Sequence, residues 1–281
     1  TFASCSDDDD DKGPDQKLNL DKTGAFVLGE GKFKQNNAQL SHYSIATTAY
    51  TANVFGKQNK GLALGETAQD ILISGGKVFI TMSGSKMIFV TDMNGVLVKE
   101  ISLKETVYSQ PRFMAEHKGN VYISCYSGHI VRLNTSSLEI NEKEDVVQIL
   151  PYPEQMTVAN GKLYVVNSRY NETVEGGGKT VTVVDLNNFK KGNELIPVHI
   201  NPTRITSDSK GNVYVLSWGA WKGVGDDAKS ALSIIKAGSD KAEIAKLGDA
   251  GTVMALQNDK LLICTTDYSN NTSKFTQYDL S

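Results

Sequence analysis

The sequence is poor in the features that mark membrane spans and nucleic-acid surfaces. No apolar run approaches the ~20 residues of a transmembrane helix. The 281 residues carry a net charge of −3, and the longest lysine cluster is the pair Lys190-Lys191. The pI is near 5.8. The lack of a long apolar run excludes a helical membrane protein. A nucleic-acid-binding domain needs a concentrated basic surface, so the dispersed basic residues exclude that class too.

Recognisable catalytic and metal-binding motifs are also missing. The four histidines, His42, His117, His129 and His199, have no metal-ligand spacing. The sequence contains no C-x-x-C-H haem site, no G-x-S-x-G turn and no phosphate-cradling glycine loop. We therefore predict neither a cofactor, a metal site nor an enzyme. A convergent active site leaves no motif, so a propeller enzyme stays open as an alternative.

A short repeated motif organises the chain. It begins as Gly-Lys-Val-Phe-Ile at Gly76, a turn followed by a β-branched and aromatic strand. Variants begin at Gly24, Gly119, Gly161, Gly211 and Asp259, so the period is 42 to 52 residues. This spacing is close to that of four-stranded propeller blades.

Each repeat also contains a strand before the motif and an alternating strand after it. The preceding apolar runs are predicted at 69–73, 111–115, 153–158, 202–206 and 251–256. The alternating strands are predicted at 86–91, 129–133, 180–185, 230–235 and 275–280. No window has a sustained 3.6-residue apolar period, so long helices are not expected. The fold class is all-β, a β-propeller with six visible blades over residues 24–281.

Both chain ends raise questions about the ring. The first repeat has no apolar run before Gly24 comparable to 69–73, and the chain stops after the third strand of repeat six. A ring leaves edges open unless its first blade is completed by a strand from the C-terminus. We therefore expect that about one blade is missing from this C-terminus.

The first 23 residues are predicted to lie outside the propeller. Cys5 follows small residues in a pattern that resembles the end of a bacterial lipobox, and Asp7–Asp11 resemble an acidic export signal of surface lipoproteins. Residues 1–23 would then be a signal remnant and an acidic tether, with Cys5 the lipidated residue. An engineered Asp-Asp-Asp-Asp-Lys protease site at Asp8–Lys12 is the alternative. Cys125 and Cys264, three blades apart, are too distant for a disulfide and are predicted core residues.

The loops that enter the inner strands and those that leave the motif strands open on one face of a propeller. Both tryptophans and several tyrosines lie in these loops. Aromatic rings with a polar group at a solvent-facing surface suit binding of an amphipathic ligand or a protein partner. Each aromatic ring could instead pack between blades. Arg112 and Arg204 lie in equivalent places beside Pro111 and Pro202, and they could instead donate hydrogen bonds to neighbouring backbone carbonyls. The predicted ligand-binding residues are Arg112, Tyr126, Tyr152, Gln155, Tyr170, Arg204, Trp218, Trp221 and Tyr268.

Several segments resemble a known family. Residues 29–43 and 64–70 resemble the opening of YncE-like surface propellers of Bacteroidetes, and 165–168 with 180–187 are similar to their fourth blade. The likeness covers residues 24–281. It implies seven blades, and for the BtuG-type lipoproteins it implies capture of cobalamin at the cell surface and transfer to an outer-membrane transporter.

From these features we predict a lipid-anchored propeller on the outer membrane, exposed at the cell surface, that binds a ligand without transforming it. The resemblance makes a corrinoid the expected ligand. The alternatives are a protein-interaction scaffold that uses the same face, or a propeller enzyme of the lyase or quinoprotein-like kind.

Overall fold

The chain folds into six consecutive antiparallel sheets. The structure is a computed structural model, and it describes residues 18–168, 178–220, 229–246, 251–267 and 270–280. Neighbouring strands in each sheet are consecutive in the sequence, which is the up-and-down order of a propeller blade. Six blades are therefore confirmed.

Blades 1 to 3 occupy the first half of the chain. Blade 1 contains β1 (Ala25–Gly29), β2 (Gln39–Tyr43) and β3 (Tyr50–Thr51). Blade 2 contains β4 (Ala68–Ser74), β5 (Lys77–Met82), β6 (Met87–Asp92) and β7 (Leu97–Ser102). Blade 3 contains β8 (Pro111–His117), β9 (Asn120–Cys125), β10 (His129–Asn134) and β11 (Val146–Gln148).

Blades 4 to 6 follow with the same order. Blade 4 contains β12 (Pro153–Ala159), β13 (Lys162–Asn167), β14 (Thr180–Asp185) and β15 (Lys190–Pro197). Blade 5 contains β16 (Pro202–Ser207), β17 (Val213–Ser217), β18 (Ala231–Ile235) and β19 (Ala242–Lys246). Blade 6 contains β20 (Gly251–Gln257), β21 (Lys260–Asp267) and β22 (Thr272–Asp279).

The repeated motif forms the second strand of each four-stranded blade and of blade 6, as predicted. Its first apolar residue is almost fully buried in these five copies, at Val78, Val121, Leu163, Val213 and Leu261, whereas the copy at Gly24 forms β1 and its Ala25 is exposed. The predicted inner strands agree with β4, β12, β16 and β20 to within one residue at each end, and β8 extends two residues beyond its predicted end. The equivalence of the five motif strands is therefore confirmed.

The glycines of the motif are explained by tight hairpins. Gly76, Gly119 and Gly161 have φ of 71°, 75° and 71°, and the residue before each also has positive φ. Two consecutive left-handed residues define the two-residue hairpin turn that matches strand twist. Gly211 has φ of 84° in a longer turn, in which Asp208 N donates to Asn212 O.

A pair of substitutions separates backbone strain from crowding in these turns. Gly161→Ala should lower the free energy of unfolding by about 1 kcal/mol, because an L-residue pays for left-handed φ while the nearest atom lies 4.0 Å from the new Cβ. Gly211→Ala should cost about 2 kcal/mol. Its Cβ would lie 2.4 Å from the amide of Asn160, which donates to Gly211 O across the blade boundary. Urea denaturation of both variants measures the difference, and equal losses would contradict the crowding argument.

Apolar side chains fill the interfaces between successive blades. Five clusters join blades 1–2, 2–3, 3–4, 4–5 and 5–6, for example through Phe79 and Val121 between blades 2 and 3. Within the described parts of the chain, no such cluster joins blade 6 to blade 1, and Val27, Val253 and Phe275 are exposed. The seventh blade stays a prediction.

Blade 1 is supported by a short helix. This helix, α1 (Val54–Gln58), buries Val54 and Phe55, and Phe55 meets the ring of Phe89 edge-on at 5.3 Å between centroids. Among the described residues it is the only α-helix, so the expectation of no long helix is met. No helix in that part of the chain is long and apolar enough to cross a membrane.

Residues 18–23, which the predicted boundary places in the tether, are hydrogen-bonded to the propeller. Leu18 N donates to Gln58 Oε1 and Leu20 N to Asn94 Oδ1. Contacts of the domain therefore begin at least six residues before Gly24. Cys5 lies outside the described residues.

The two described cysteines differ in burial. Both are free thiols, but Cys125 is buried whereas Cys264 is partly exposed. Pro111 pairs with Cys125 whereas Gly251 pairs with Thr265, so Cys264 lies one residue earlier in its strand. The prediction of a core position is therefore met by Cys125 only, because a one-residue offset in a strand turns the side chain to the other face.

Candidate functional site

Four blades share a backbone conformation at the point where the inner strand begins. The residue before the inner strand is left-handed in four blades, with φ of 56° to 61° at Thr67, Gln110, Tyr152 and Asn201. Its carbonyl accepts from the first residue after the second strand, for example Tyr152 O from Ser168 N at 3.2 Å. Left-handed non-glycine residues cost free energy and persist where the surroundings hold them.

A register shift follows directly in all five inner strands. Ala68, Pro111, Pro153, Pro202 and Gly251 pair normally, and the ladder then slips before it resumes. Such a bulge re-aims the side chains of the residues involved. We call the first and second residues after the pairing residue the bulge positions.

The bulge positions line a cavity of about 400 Å³. Six of its nine lining residues occupy them, and the other three come from the adjoining loops. The lining residues are Gln69, Arg112, Phe113, Glu154, Ser168, Asn201, Thr203, Arg204 and Trp218. Residues from blades 2, 3, 4 and 5 therefore converge on one cavity at the face predicted from the loops.

A charged network crosses this cavity. Arg112 Nη2 donates to both oxygens of Glu154, at 2.8 and 3.1 Å, and Arg112 Nη1 donates to Gln69 Oε1. Tyr126 donates its hydroxyl to Glu154 Oε1. The guanidinium of Arg112 lies 4.2 Å from the centroid of the Tyr126 ring. The ion pair thus joins blades 3 and 4, and the Gln69 hydrogen bond adds blade 2. The side chains of the ion pair are mostly withdrawn from water.

The second arginine is held differently. The guanidinium carbon of Arg204 lies over the rings of Phe113 and Trp218, at 5.4 and 5.9 Å from their centroids. Its Nη1 donates a hydrogen bond to the carbonyl of Thr203 at 3.2 Å. Burial lowers the pKa of the Arg204 guanidinium, and the positive charge of Arg112 lowers it as well. The carboxylates of Glu154 and Asp70 act in the opposite direction and raise it. Trp218 donates its indole N–H to Thr252 O and remains 39% exposed.

A second carboxyl group lies nearby. Asp70 accepts from Met114 N at 2.7 Å and from Ile71 N at 2.9 Å. Burial raises the pKa of Asp70 to about 6, although these two bonds and the charge of Arg204 act in the opposite direction. Desolvation of a carboxylate disfavours its charged form, so this group titrates close to neutral pH.

The structure brings together five of the predicted ligand-binding residues. Arg112, Arg204 and Trp218 line the cavity, Tyr126 binds its network, and the Tyr152 ring meets the Tyr126 ring edge-on at 5.7 Å. Arg112 and Arg204 are not in equivalent places, because Arg112 is the first bulge residue of its blade and Arg204 the second. Tyr170, Trp221 and Tyr268 lie outside the described residues.

Gln155 has a contact that connects blades. Its Oε1 accepts from Ile205 N at 3.0 Å in the next blade. Asp70 occupies the same second bulge position and accepts from Met114 N of its next blade. Both side chains therefore accept from a backbone N–H of the next blade's inner strand, which is an edge strand of its sheet, and a ligand contact of Gln155 stays a prediction.

Sequence reasoning did not select Glu154, Gln69, Phe113, Asp70 or Thr203 as site residues. The only sequence signal is their register: each follows the first residue of an inner strand by one or two positions. A proline in that first position marks three of the four strands concerned. Aligning the inner strands on it would have assembled the cavity.

Two larger clefts lie elsewhere, at the outer strands of blades 3 and 4. They measure about 560 and 580 Å³, and Lys190 and Lys191 line both. These lysines are exposed, whereas Glu154 and Thr203 in the central cavity are buried. A binding site is better built from ordered, partly desolvated groups, so the central cavity is the stronger candidate.

The fold and cavity define the molecule as a β-propeller with a polar and aromatic recess where its inner strands begin. Residues 23–181 match the model of a family described as a domain of unknown function, DUF5074. This match covers more than half of the chain, and the chain belongs to that family. No curated protein matches the sequence.

Solved propeller structures resemble the chain at low identity. A streptogramin B lyase has a TM-score of 0.58 and 13% identity, with 94% of this chain and 86% of that chain covered. The computationally designed Ika8 protein has a TM-score of 0.58 and 12% identity, with 89% and 70% covered. A nidogen/laminin complex has a TM-score of 0.51 and 15% identity, with 74% and 71% covered. These likenesses concern the fold alone.

Proposed function

We propose that this propeller binds a small-molecule ligand in the central cavity and does not transform it. The observation that carries the proposal is the convergence of residues from four blades on one recess, where Arg112 and Glu154 are locked by mutual hydrogen bonds before any ligand arrives. A preformed recess with a few oriented polar groups and aromatic walls is the usual form of a ligand site.

The hydrogen bonding of the carboxylates supports binding rather than catalysis. Glu154 accepts from Arg112 and Tyr126, and Asp70 accepts from two backbone N–H groups. A general base needs an oxygen within reach of a substrate proton, and the bonds of these two groups compete with that role. Within the described residues, no three acidic, histidine or cysteine side chains are grouped to hold a metal ion.

We further propose a corrinoid as the ligand and the cell surface as the location. The support is the resemblance to YncE-like surface propellers and the lipobox-like start at Cys5. In this proposal Cys5 carries the lipid anchor on the outer membrane, and the ligand passes to an outer-membrane transporter. A corrinoid exceeds a recess of about 400 Å³, so the recess would hold one edge of it while the surrounding face supports the rest.

Cyanocobalamin tests the ligand directly, because its visible absorbance reports binding. The purified propeller should retain the colour through desalting, and Trp218→Ala should weaken binding about tenfold or more, since a central aromatic contact is worth at least ~1.4 kcal/mol. Phe33→Ala removes another exposed ring, outside the recess, and should leave binding unchanged. Binding unaffected by Trp218→Ala in a folded protein would place the site elsewhere.

The same material separates the alternatives. A scaffold would bind no small molecule in a thermal-shift screen of corrinoids and glycans. An enzyme would convert a bound compound, which mass spectrometry of the recovered ligand would detect.

A further inference from the structure

We propose that Arg204 binds an anionic oxygen group of the ligand, a carboxylate or a phosphate, at the Trp218 side of the cavity. This inference rests on the proposed ligand-binding function and adds the chemical class of one ligand group. It follows from which donors and acceptors of the cavity are already used.

The acceptors of the cavity that face Arg112 are occupied. Both oxygens of Glu154 accept from Arg112, and one also accepts from Tyr126. Gln69 Oε1 accepts from Arg112. A ligand group that donates hydrogen bonds would therefore have to compete with an ion pair that is already formed.

The donors are not all used. A guanidinium has five N–H donors, and among the described residues Arg204 forms one hydrogen bond, to Thr203 O. Among the described residues, Arg204 has no ion pair within 4.0 Å, whereas Arg112 pairs with Glu154 at 2.8 Å. The unused hydrogen-bonding groups of the recess are thus mainly the N–H donors of a positively charged side chain, Arg204.

Two buried atoms point to the same chemistry. Among the described residues, Arg112 Nε and Thr203 Oγ1 are the buried side-chain polar atoms without a hydrogen-bond partner. Both belong to residues that line this cavity, and both can donate. Native structures leave few buried polar groups unsatisfied, and a ligand that brings acceptors would meet this deficit once small shifts of the two side chains expose these atoms to the cavity.

The position of Arg204 suits recognition of a planar or tetrahedral anion. The rings of Phe113 and Trp218 lie within 6 Å of its guanidinium carbon and hold the side chain in place. The in-plane N–H groups remain for a forked contact, which arginine makes with carboxylates and phosphates.

Inorganic phosphate and benzoate are the probes, titrated separately into the whole propeller at low ionic strength and followed by tryptophan fluorescence and calorimetry. At least one should bind saturably, and Arg204→Met should weaken it about tenfold or more, a loss of ~1.4 kcal/mol. Lys99→Met removes one exposed positive charge outside the recess and should change nothing. The probe that binds distinguishes phosphate from carboxylate recognition.

The inference is overturned if neither probe saturates, or if folded Arg204→Met binds as tightly as the parent. Should Arg204→Met not fold, Arg204→Lys keeps the charge without the fork and should still weaken the probe, whereas unchanged affinity overturns the inference. Cyanocobalamin binding that is sensitive to Trp218→Ala but not to Arg204→Met would leave the proposed function standing and reject the anion site alone.

Discussion

Replacing Glu154 with glutamine should lower the free energy of unfolding by about 3 kcal/mol or more. Removing one partner of a buried ion pair leaves the other charge uncompensated, which typically costs about 3–5 kcal/mol. Here Arg112 would lose its carboxylate, and Arg204, whose pKa Glu154 raises, would lose a favourable charge. Urea denaturation with an unchanged m-value would measure the loss.

Two controls show whether the charge or the shape matters. The double variant Arg112→Gln with Glu154→Gln should recover part of the stability, because neither charge of the pair remains. Asp145→Asn breaks the more exposed ion pair with Arg132 and should cost at most about 1 kcal/mol. If Glu154→Gln costs no more than Asp145→Asn, the central network does not stabilise the blades as argued.

The fold could be predicted almost completely because its signals are local. A turn glycine, a β-branched residue and an aromatic residue recur in a fixed order, and each blade buries them in the same way. Five consecutive inner strands were placed to within two residues, since each is bounded by a tight turn and, in three blades, by an initial proline. Repetition gives several independent observations of one pattern.

The candidate site could be predicted only in part because its geometry depends on the bulges. Alternation along a strand tells which side chains share a face, but a bulge shifts the register by one residue. Arg112 and Arg204 looked equivalent, yet they occupy consecutive bulge positions, and Thr203 is the true counterpart of Arg112. The aromatic residues were selected because they lie in loops, whereas Glu154 and Gln69 lie inside strands and were not selected.

The bulges also explain how binding and stability are coupled. Each inner strand of blades 2 to 6 is an edge strand of its sheet, and in two blades the second bulge residue of the preceding blade accepts from one of its backbone N–H groups, Asp70 from Met114 and Gln155 from Ile205. In blades 3 and 5 the same position holds Phe113 and Arg204, which cannot accept a hydrogen bond and instead contact each other in the cavity, and in blade 6 it holds Val253. Side chains that accept hydrogen bonds at the second bulge position therefore join neighbouring blades, whereas Phe113 and Arg204 at the same position line the recess.

Asp70→Asn should change how stability depends on pH. The pKa of Asp70 is raised to about 6 from 3.8 mainly by burial, so the folded state holds its proton more tightly than the unfolded chain. Its contribution is therefore most favourable below about pH 4 and is lost as pH rises through 6. Keeping the buried carboxylate ionised above that pH costs on the order of 3 kcal/mol, at about 1.4 kcal/mol per pKa unit.

Asparagine has no such titration, but it offers one acceptor oxygen where aspartate offers two, and one backbone bond is lost at about 1 kcal/mol. The variant should thus be less stable than the parent near pH 4.5 and more stable near pH 7.5, with the curves crossing between them. Urea denaturation at these pH values measures the crossing.

Asp208→Asn is a control of opposite sign. Burial raises the pKa of Asp208, but hydrogen bonds from Asn212, Tyr214 and Lys210 outweigh that effect and lower the pKa. This variant should therefore gain stability relative to the parent as pH falls. Parallel curves for Asp70→Asn and the parent would show that the carboxyl group is not desolvated and that Arg204 has a fully charged neighbour throughout this pH range.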